Sequence, residues 1–169
     1  RLLDRLPDRP VMLAGAGILA VATLAAAAIE SYGLLLLVWF VVGIGYSLAN
    51  TPSGRLLRRS SHAEDRPALF AAQFALSHAC WLVTYPLAGW AGASLGLPAT
   101  SVLLAGIAAA GVFAALRLWP SSDPEIIEHS HDGLPSSNPH WNEGQPNGHR
   151  HAHPFVIDEL HGSWPQAHH

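Results

Sequence analysis

The sequence predicts an all-α membrane protein: four transmembrane helices followed by a largely disordered, histidine-rich tail. Three observations carry that expectation. Four long runs are free, or nearly free, of charged side chains. The arginines before residue 120 fall only on alternate sides of those runs. Nine of the eleven histidines and seven of the thirteen prolines are crowded into residues 120–169.

Composition narrows the function classes first. Half of the 169 residues are hydrophobic, 12% are charged, and the formal charge is −3. There is no reserve of positive charge for bulk nucleic-acid binding. The single cysteine, Cys80, excludes an internal disulfide and argues against a thiolate metal cluster. No nucleophile–base motif, phosphate loop or metalloprotease signature is present, so the chain is not expected to be an enzyme.

The first span, residues 11–29, reads VMLAGAGILAVATLAAAAI. It approaches the roughly 20 apolar residues needed to cross a hydrocarbon core of about 30 Å. It is long for a signal peptide, has no clear cleavage site and is followed at once by another span. Glu30-Ser31-Tyr32-Gly33 interrupts the run, and 34–50 forms the second span. A polar loop with Arg55, Arg58, Arg59 and Arg66 follows. The third span covers 68–92, an uncharged turn covers 93–100, and the fourth span covers 101–119. Gly43, Ser47, Asn50 and Gly54, with the pairs Gly106/Ala110 and Gly111/Ala115, offer small-residue surfaces for close helix packing. Pro52 and Pro86 are candidate kinks.

Arg1, Arg5 and Arg9 precede the first span, four arginines separate the second from the third, and Arg117 closes the fourth. The opposite loops carry none. By the positive-inside rule both ends of the chain are expected to be cytoplasmic.

Polar groups inside a span are costly and often functional. The third span holds most of them. At helical spacing Gln73, Ser77, Cys80 and Thr84 fall within about 60° of one another, with Trp81, Tyr85 and His78 continuing the arc. Asn50 stands at the inner end of the second span. Asn50, Gln73, Ser77, His78, Thr84 and Tyr85 are therefore candidates for a transport path. The competing reading is hydrogen bonding between helices for Ser77 and Thr84, and small-residue packing for Cys80. With a reference pKa of about 6.5, His78 can carry a coupling proton or offer a nitrogen to a transition metal. It can equally be a neutral histidine satisfied by a neighbour.

Residues 120–154 hold too few large apolar side chains to offset ordering entropy, hence the expected disorder. His129-x-His131 and His149-x-His151-x-His153 repeat with period two, which in an extended chain places imidazoles on one face. Imidazole suits nickel, cobalt, zinc and copper(II), and Glu128, Asp132 or Glu143 could add oxygen ligands. The metal candidates are His129, His131, His149, His151, His153 and His161. No closed four-ligand spacing appears, so weak, exchangeable binding of Ni, Co or Zn is expected, with no tightly bound cofactor. A solvated linker with incidental histidines is the plain alternative. The segment 154–164, PFVIDELHGSW, is more apolar. It is read either as a docking element or as further metal ligation, with Asp158 and His161 spaced i, i+3.

The opening LDRLPDRPVM resembles the cytoplasmic loop motif of the major facilitator superfamily, roughly Gly-x-x-x-Asp-Arg-x-x-x-Arg. Asp4, Arg5 and Arg9 match its later positions; the leading glycine would fall before Arg1. The resemblance covers residues 1–119. It implies that the four spans complete a six-helix half, as the last four of twelve helices. It also implies that Asp4 and Arg5 latch helix ends, the alternative being topological anchoring by Arg5 and Arg9. The histidine-rich end is similar to those of some bacterial nickel- and metal-resistance exporters of that superfamily.

The function expected from all this is a secondary transporter, a proton-coupled exporter with divalent transition metals such as nickel or cobalt as candidate substrates. It would sit in a bacterial inner membrane as a multi-pass protein. Its partners would be lipid, the remaining N-terminal helices, protons and a small solute or metal ion, with no nucleic acid. The alternatives are a drug or metabolite exporter with a metal-sensing tail, and a membrane-anchored metal buffer.

Overall fold

A computed structural model describes residues 6–121, 123–124, 126–131, 134–135, 138–142, 145–147 and 150–164. The motif residues Asp4 and Arg5, with His149, Asp132 and Glu143, lie outside the described residues.

Among the described residues, four helices are long and apolar enough to cross a membrane. The first, α1, spans Asp8–Ala26. It starts directly after Pro7, with Pro10 in its first turn, where a missing N–H costs nothing. Asp8 faces the positive end of the helix dipole. The next, α2, spans Tyr32–Asn50. Pro52 interrupts the ladder there, and the short α3, Ser53–Arg59, continues after it. Then α4 spans Arg66–Leu95 and runs unbroken through Pro86. Finally α5 spans Leu97–Leu118.

The expected turn over 93–100 shrinks to one residue. Gly96 alone separates α4 from α5, at φ 82°. A side chain is disfavoured in that backbone region, so glycine is what permits so abrupt a reversal. Thr100 steadies the new helix by donating from both its amide and its hydroxyl to the Gly96 carbonyl, at 3.1 and 2.8 Å.

α1 packs against α2 on one side and α5 on the other, and α5 packs on α4. The tightest crossing uses Gly15 and Gly45. A Cβ on Gly15 would lie 2.7 Å from the Gly45 carbonyl oxygen; one on Gly45 would lie 2.8 Å from that of Gly15. Helices in lipid gain little from apolar burial and associate where small residues let backbones touch. The pairs singled out by spacing play no such part among the described residues, since Gly43, Gly106 and Gly111 have open space around them. Ala91 and Ala105 supply buried small residues in α4 and α5. Trp39 and Phe40 of α2 and Phe74 and Leu82 of α4 point outward, 63–78% exposed, as lipid-facing or helix-facing surfaces require.

The tail carries local order where disorder was expected from its composition. Three short strands, β1 (Ile126–Ser130), β2 (Gln145–Asn147) and β3 (Arg150–Pro154), form an antiparallel sheet in the order β1-β3-β2. A 3-10 turn, Pro139–Asn142, precedes β2. Few large apolar residues hold this sheet together; its inward face is built of imidazole.

The Gly15–Gly45 crossing predicts a position-specific cost. Gly15→Val should lower the thermal stability of the purified protein by roughly 1–3 kcal/mol equivalents. Gly17→Val, with open space at its Cβ, should be nearly neutral. Equal melting temperatures for the two variants would refute the close contact.

Candidate metal centre

Strand register builds the site. His129 of β1 stands directly opposite His151 of β3. Because strand side chains alternate, His131 follows His129 on the same face and His153 follows His151. Glu128 falls on the other face and is exposed. The 3-10 turn brings in His140, whose amide donates to the Asn138 side-chain oxygen at 3.0 Å. The chain after β3 returns His161. One ligand atom each from His129, His131, His140, His151 and His161 lies within 4.8 Å of all the others.

The contacts inside the cluster run from Nε2 to Nε2. They are 3.1 Å for His129–His151, 3.0 Å for His140–His151, 3.1 Å for His131–His140 and 2.9 Å for His129–His161. Two tautomers follow from chemistry. A carboxylate and a carbonyl oxygen can only accept. The Nδ1–H of His161 therefore donates to Asp158 at 2.8 Å, and that of His129 to the Ile127 carbonyl at 3.0 Å. In neutral rings both Nε2 atoms then present lone pairs to each other at 2.9 Å. That contact is repulsive unless a cation lies between them.

The donor set fits a transition metal. Metal–imidazole bonds of about 2.0–2.1 Å put ligands at right angles roughly 3.0 Å apart, and tetrahedral ligands roughly 3.4 Å apart. The four Nε2–Nε2 contacts, at 2.9–3.1 Å, match the former, within a set that spreads over 4.8 Å. Asp158 behind His161 and the carbonyl behind His129 are the outer partners that orient ligating histidines. Phe155, 3% exposed, packs edge-on to His161 at 4.8 Å, and Trp141 packs on His151 at 5.0 Å. The site is thus shielded by rings as well as by strands.

Electrostatics agree with neutral imidazoles. Burial, then the neighbouring histidines, pushes His151 down to about 4. Burial also lowers His129, against the opposing pull of the Ile127 carbonyl, and lowers His131 together with His161 and His140. Burial alone would raise Asp158, but the amide and ring of His161 hold it below the usual carboxylate range.

Of the metal candidates read from sequence, the structure brings together His129, His131, His151 and His161. His153 is buried beside them, its ring 5.1 Å from His151, with its Nδ1–H donating to the Pro154 carbonyl. It lies outside the convergent set. His140 was missed because it belongs to no period-two pair; the turn-forming Asn138-Pro139 before it was the available signal. The expected pairing of Asp158 with His161 occurs in a loop rather than a helix.

The transport-path candidates occupy another region. Ser77, His78 and Thr84 hydrogen-bond to carbonyls of their own helix, those of Gln73, Phe74 and Cys80, at 2.7, 2.8 and 2.9 Å. The His78 ring lies tilted between those of Phe74 and Trp81, at 3.8 and 4.5 Å. Gln73 is half-buried, and Tyr85 is 67% exposed. Asn50 donates to the Tyr46 carbonyl at 2.9 Å, at the end of α2.

A chain of contacts ties the tail to the helix ends. Arg9 donates to the Trp119 carbonyl at 3.2 Å, and the Trp119 indole donates to Asp123 at 2.8 Å. Asp123 also receives Arg59 at 2.7 Å. The Ile157 amide donates to the Arg59 carbonyl at 3.0 Å, and the Arg59 guanidinium sits 5.3 Å above the Trp164 ring. Four residues earlier on α3, Arg55 pairs with the buried Asp8 at the start of α1. Sequence reading had treated Arg55 and Arg59 only as topological charges and had passed over Asp8.

The depressed His151 pKa has a signed consequence. Its folded value, about 4, lies below the ordinary 6.5, so the unfolded tail takes up protons first as pH falls. The contribution of neutral His151 to the folded tail should be complete above about pH 6.5 and be lost progressively toward about pH 4. Hydrogen exchange at the β3 amides, corrected for intrinsic rates, should rise over that window; protection independent of pH would contradict the buried cluster.

Sequence comparison adds one finding. The pattern of the Major Facilitator Superfamily matches residues 1–153. No curated protein and no solved structure matches the chain.

Proposed function

The chain belongs to the Major Facilitator Superfamily, and from that premise we propose that it serves a proton-coupled exporter of divalent transition metals whose tail gathers the ion before transport. The family and the apolar helices make this a multi-pass membrane protein of a secondary-transporter family, one not enzymatic in general. The single observation that carries the finer reading is the convergence of five imidazole nitrogens in the tail. Orientation is proposed from the arginines, with both ends of the chain in the cytoplasm of a bacterial inner-membrane protein, so the tail would meet the ion on the side from which it is exported. In this reading the four spans act together with further helices of the same transporter, and Asp4 and Arg5 latch helix ends.

The path through the membrane is proposed along α4, with Gln73, Ser77, Thr84 and Tyr85 lining it and Asn50 at its inner end. His78 would be the proton carrier or an intramembrane ligand. A second reading draws support from the same helix. Among the described residues the spans offer few metal-type ligands, chiefly His78 and Cys80. That scarcity favours a drug or metabolite exporter whose tail senses metal. A membrane-anchored metal buffer needs no polar strip on α4 at all.

Transport assays on the complete protein separate these readings. Everted vesicles with an imposed proton gradient should accumulate Ni²⁺ or Co²⁺, and His78→Ala should reduce that uptake more than it reduces expression. Deleting residues 120–169 should lower uptake without abolishing it. Metal uptake absent while organic solutes still move would leave the sensing exporter; no gradient-driven transport of either kind would leave the buffer. Cysteine labels at 31–33 and 93–99 should react from the outside, and reaction only from the cytoplasm would reverse the orientation.

A further inference from the structure

We propose that one borderline divalent ion, held by the Nε2 atoms of His129, His131, His140, His151 and His161, folds the tail and thereby closes a clamp on Arg59 across the ends of α1, α3 and α5. This rests on the reading that the tail binds metal, and it changes that reading's character. Weak, separable HxH sites would leave the tail loose. A single converging centre makes tail order conditional on the ion.

The argument starts from the sheet. Its strands are three to five residues long, and a sheet that small with so little apolar burial does not hold itself together in water. Its inward face adds a further cost, because the lone pairs of His129 and His161 oppose each other at 2.9 Å. A bound cation turns that repulsion into ligation, and the binding energy becomes folding energy. The ligands come from four places in the tail: β1 with the residue after it, the 3-10 turn, β3, and the chain beyond β3. Only an ion at their meeting point joins all four. Among the described residues the donors are all imidazole, with no thiolate and no inner carboxylate, which selects Ni²⁺, Co²⁺, Zn²⁺ or Cu²⁺ over Mg²⁺, Ca²⁺ or Cu⁺.

The folded tail then grips Arg59 from two sides. Asp123, three residues before β1, takes the guanidinium at 2.7 Å. On the far side of β3, the Ile157 amide holds the Arg59 carbonyl at 3.0 Å, and the Trp164 ring lies beneath the guanidinium. His161 sits between Ile157 and Trp164, so the ligand itself fixes the second jaw. Asp123 also accepts from the Trp119 indole N–H, and the Trp119 backbone carbonyl accepts from Arg9. Through α3 the clamp reaches Arg55 and its partner Asp8. An ion in the tail thus restrains the helix ends whose relative movement a transporter of this family requires.

The full-length protein, stripped with chelator and held in nanodiscs, provides the test. Calorimetry with Ni²⁺ and Zn²⁺ should give one ion per chain, and Mg²⁺ should give no binding. Hydrogen exchange should slow on metal addition both in 150–157 and in 53–59. His140→Ala, outside every HxH pair, should weaken binding at least about tenfold, and Asp158→Asn by about 10- to 100-fold. Arg59→Gln and Trp164→Ala should leave binding within a few-fold, yet remove the metal-dependent protection of 53–59. Several equivalent weak ions per chain, indifferent to His140→Ala, would overturn the centre. One ion with unchanged exchange in 53–59 would overturn the clamp alone. No binding of either metal would overturn both, while the transport assays would still stand or fall on their own.

Discussion

Arg59 is the residue on which the join between the membrane helices and the tail depends. It is 8% exposed at the end of α3, and a buried guanidinium is costly unless its charge is matched. Asp123 matches the charge, and the Trp164 ring lends its negative face. Both partners lie in the chain after α5. Lifting the tail away would remove both partners at once, and a guanidinium left buried without its partner costs about 3–5 kcal/mol. The membrane region therefore has its own reason to keep the tail seated. The tail, in turn, has few apolar residues with which to hold itself in place. Each part completes a need in the other.

The same logic explains why order can appear in a segment whose composition argues against it. Disorder is expected when too little apolar surface is buried to offset chain entropy. That reasoning counts hydrophobic groups and gives histidine no credit. Here Phe155, Trp141 and Trp164 supply a small apolar shell, and the imidazoles occupy the place of a core. Such a core is favourable only if its nitrogens have something to bind. Composition therefore counts the tail's lack of apolar burial and misses a core built of imidazole.

The legible and illegible parts divide along physical lines. The four spans were legible because lipid demands long uncharged helices, and that demand is written locally. Period-two spacing was also local, and it placed His129 with His131 on one face. What could not be read was register. Nothing in the spacing says that His129 lies opposite His151, or that a 3-10 turn carries His140 to them. The Gly15–Gly45 crossing was hidden for the same reason: a close approach depends on a partner helix, so spacing within one helix pointed instead to Gly43, which touches nothing within 4 Å. Asp8 is by position a first-turn acid, and nothing local points to its partner Arg55, 47 residues away.

The arginine composition gathers these threads. Nine arginines and no lysine are more than the topology signal requires, since either cation satisfies the positive-inside rule. The contacts at the helix ends discriminate between the two. Arg55 uses both Nε and a terminal nitrogen on one carboxylate oxygen of Asp8. Arg9 donates through Nε to a backbone carbonyl, Arg117 lies over Phe113 at 4.7 Å, and Arg59 combines a carboxylate with an indole face. Planar, multi-donor guanidinium makes all of these contacts; a compact ammonium makes few of them. The charges from which the orientation is proposed are thus also the connectors that fasten α1, α3, α5 and the tail at one end of the bundle. A change of tail conformation acts directly on groups already committed to holding those helix ends.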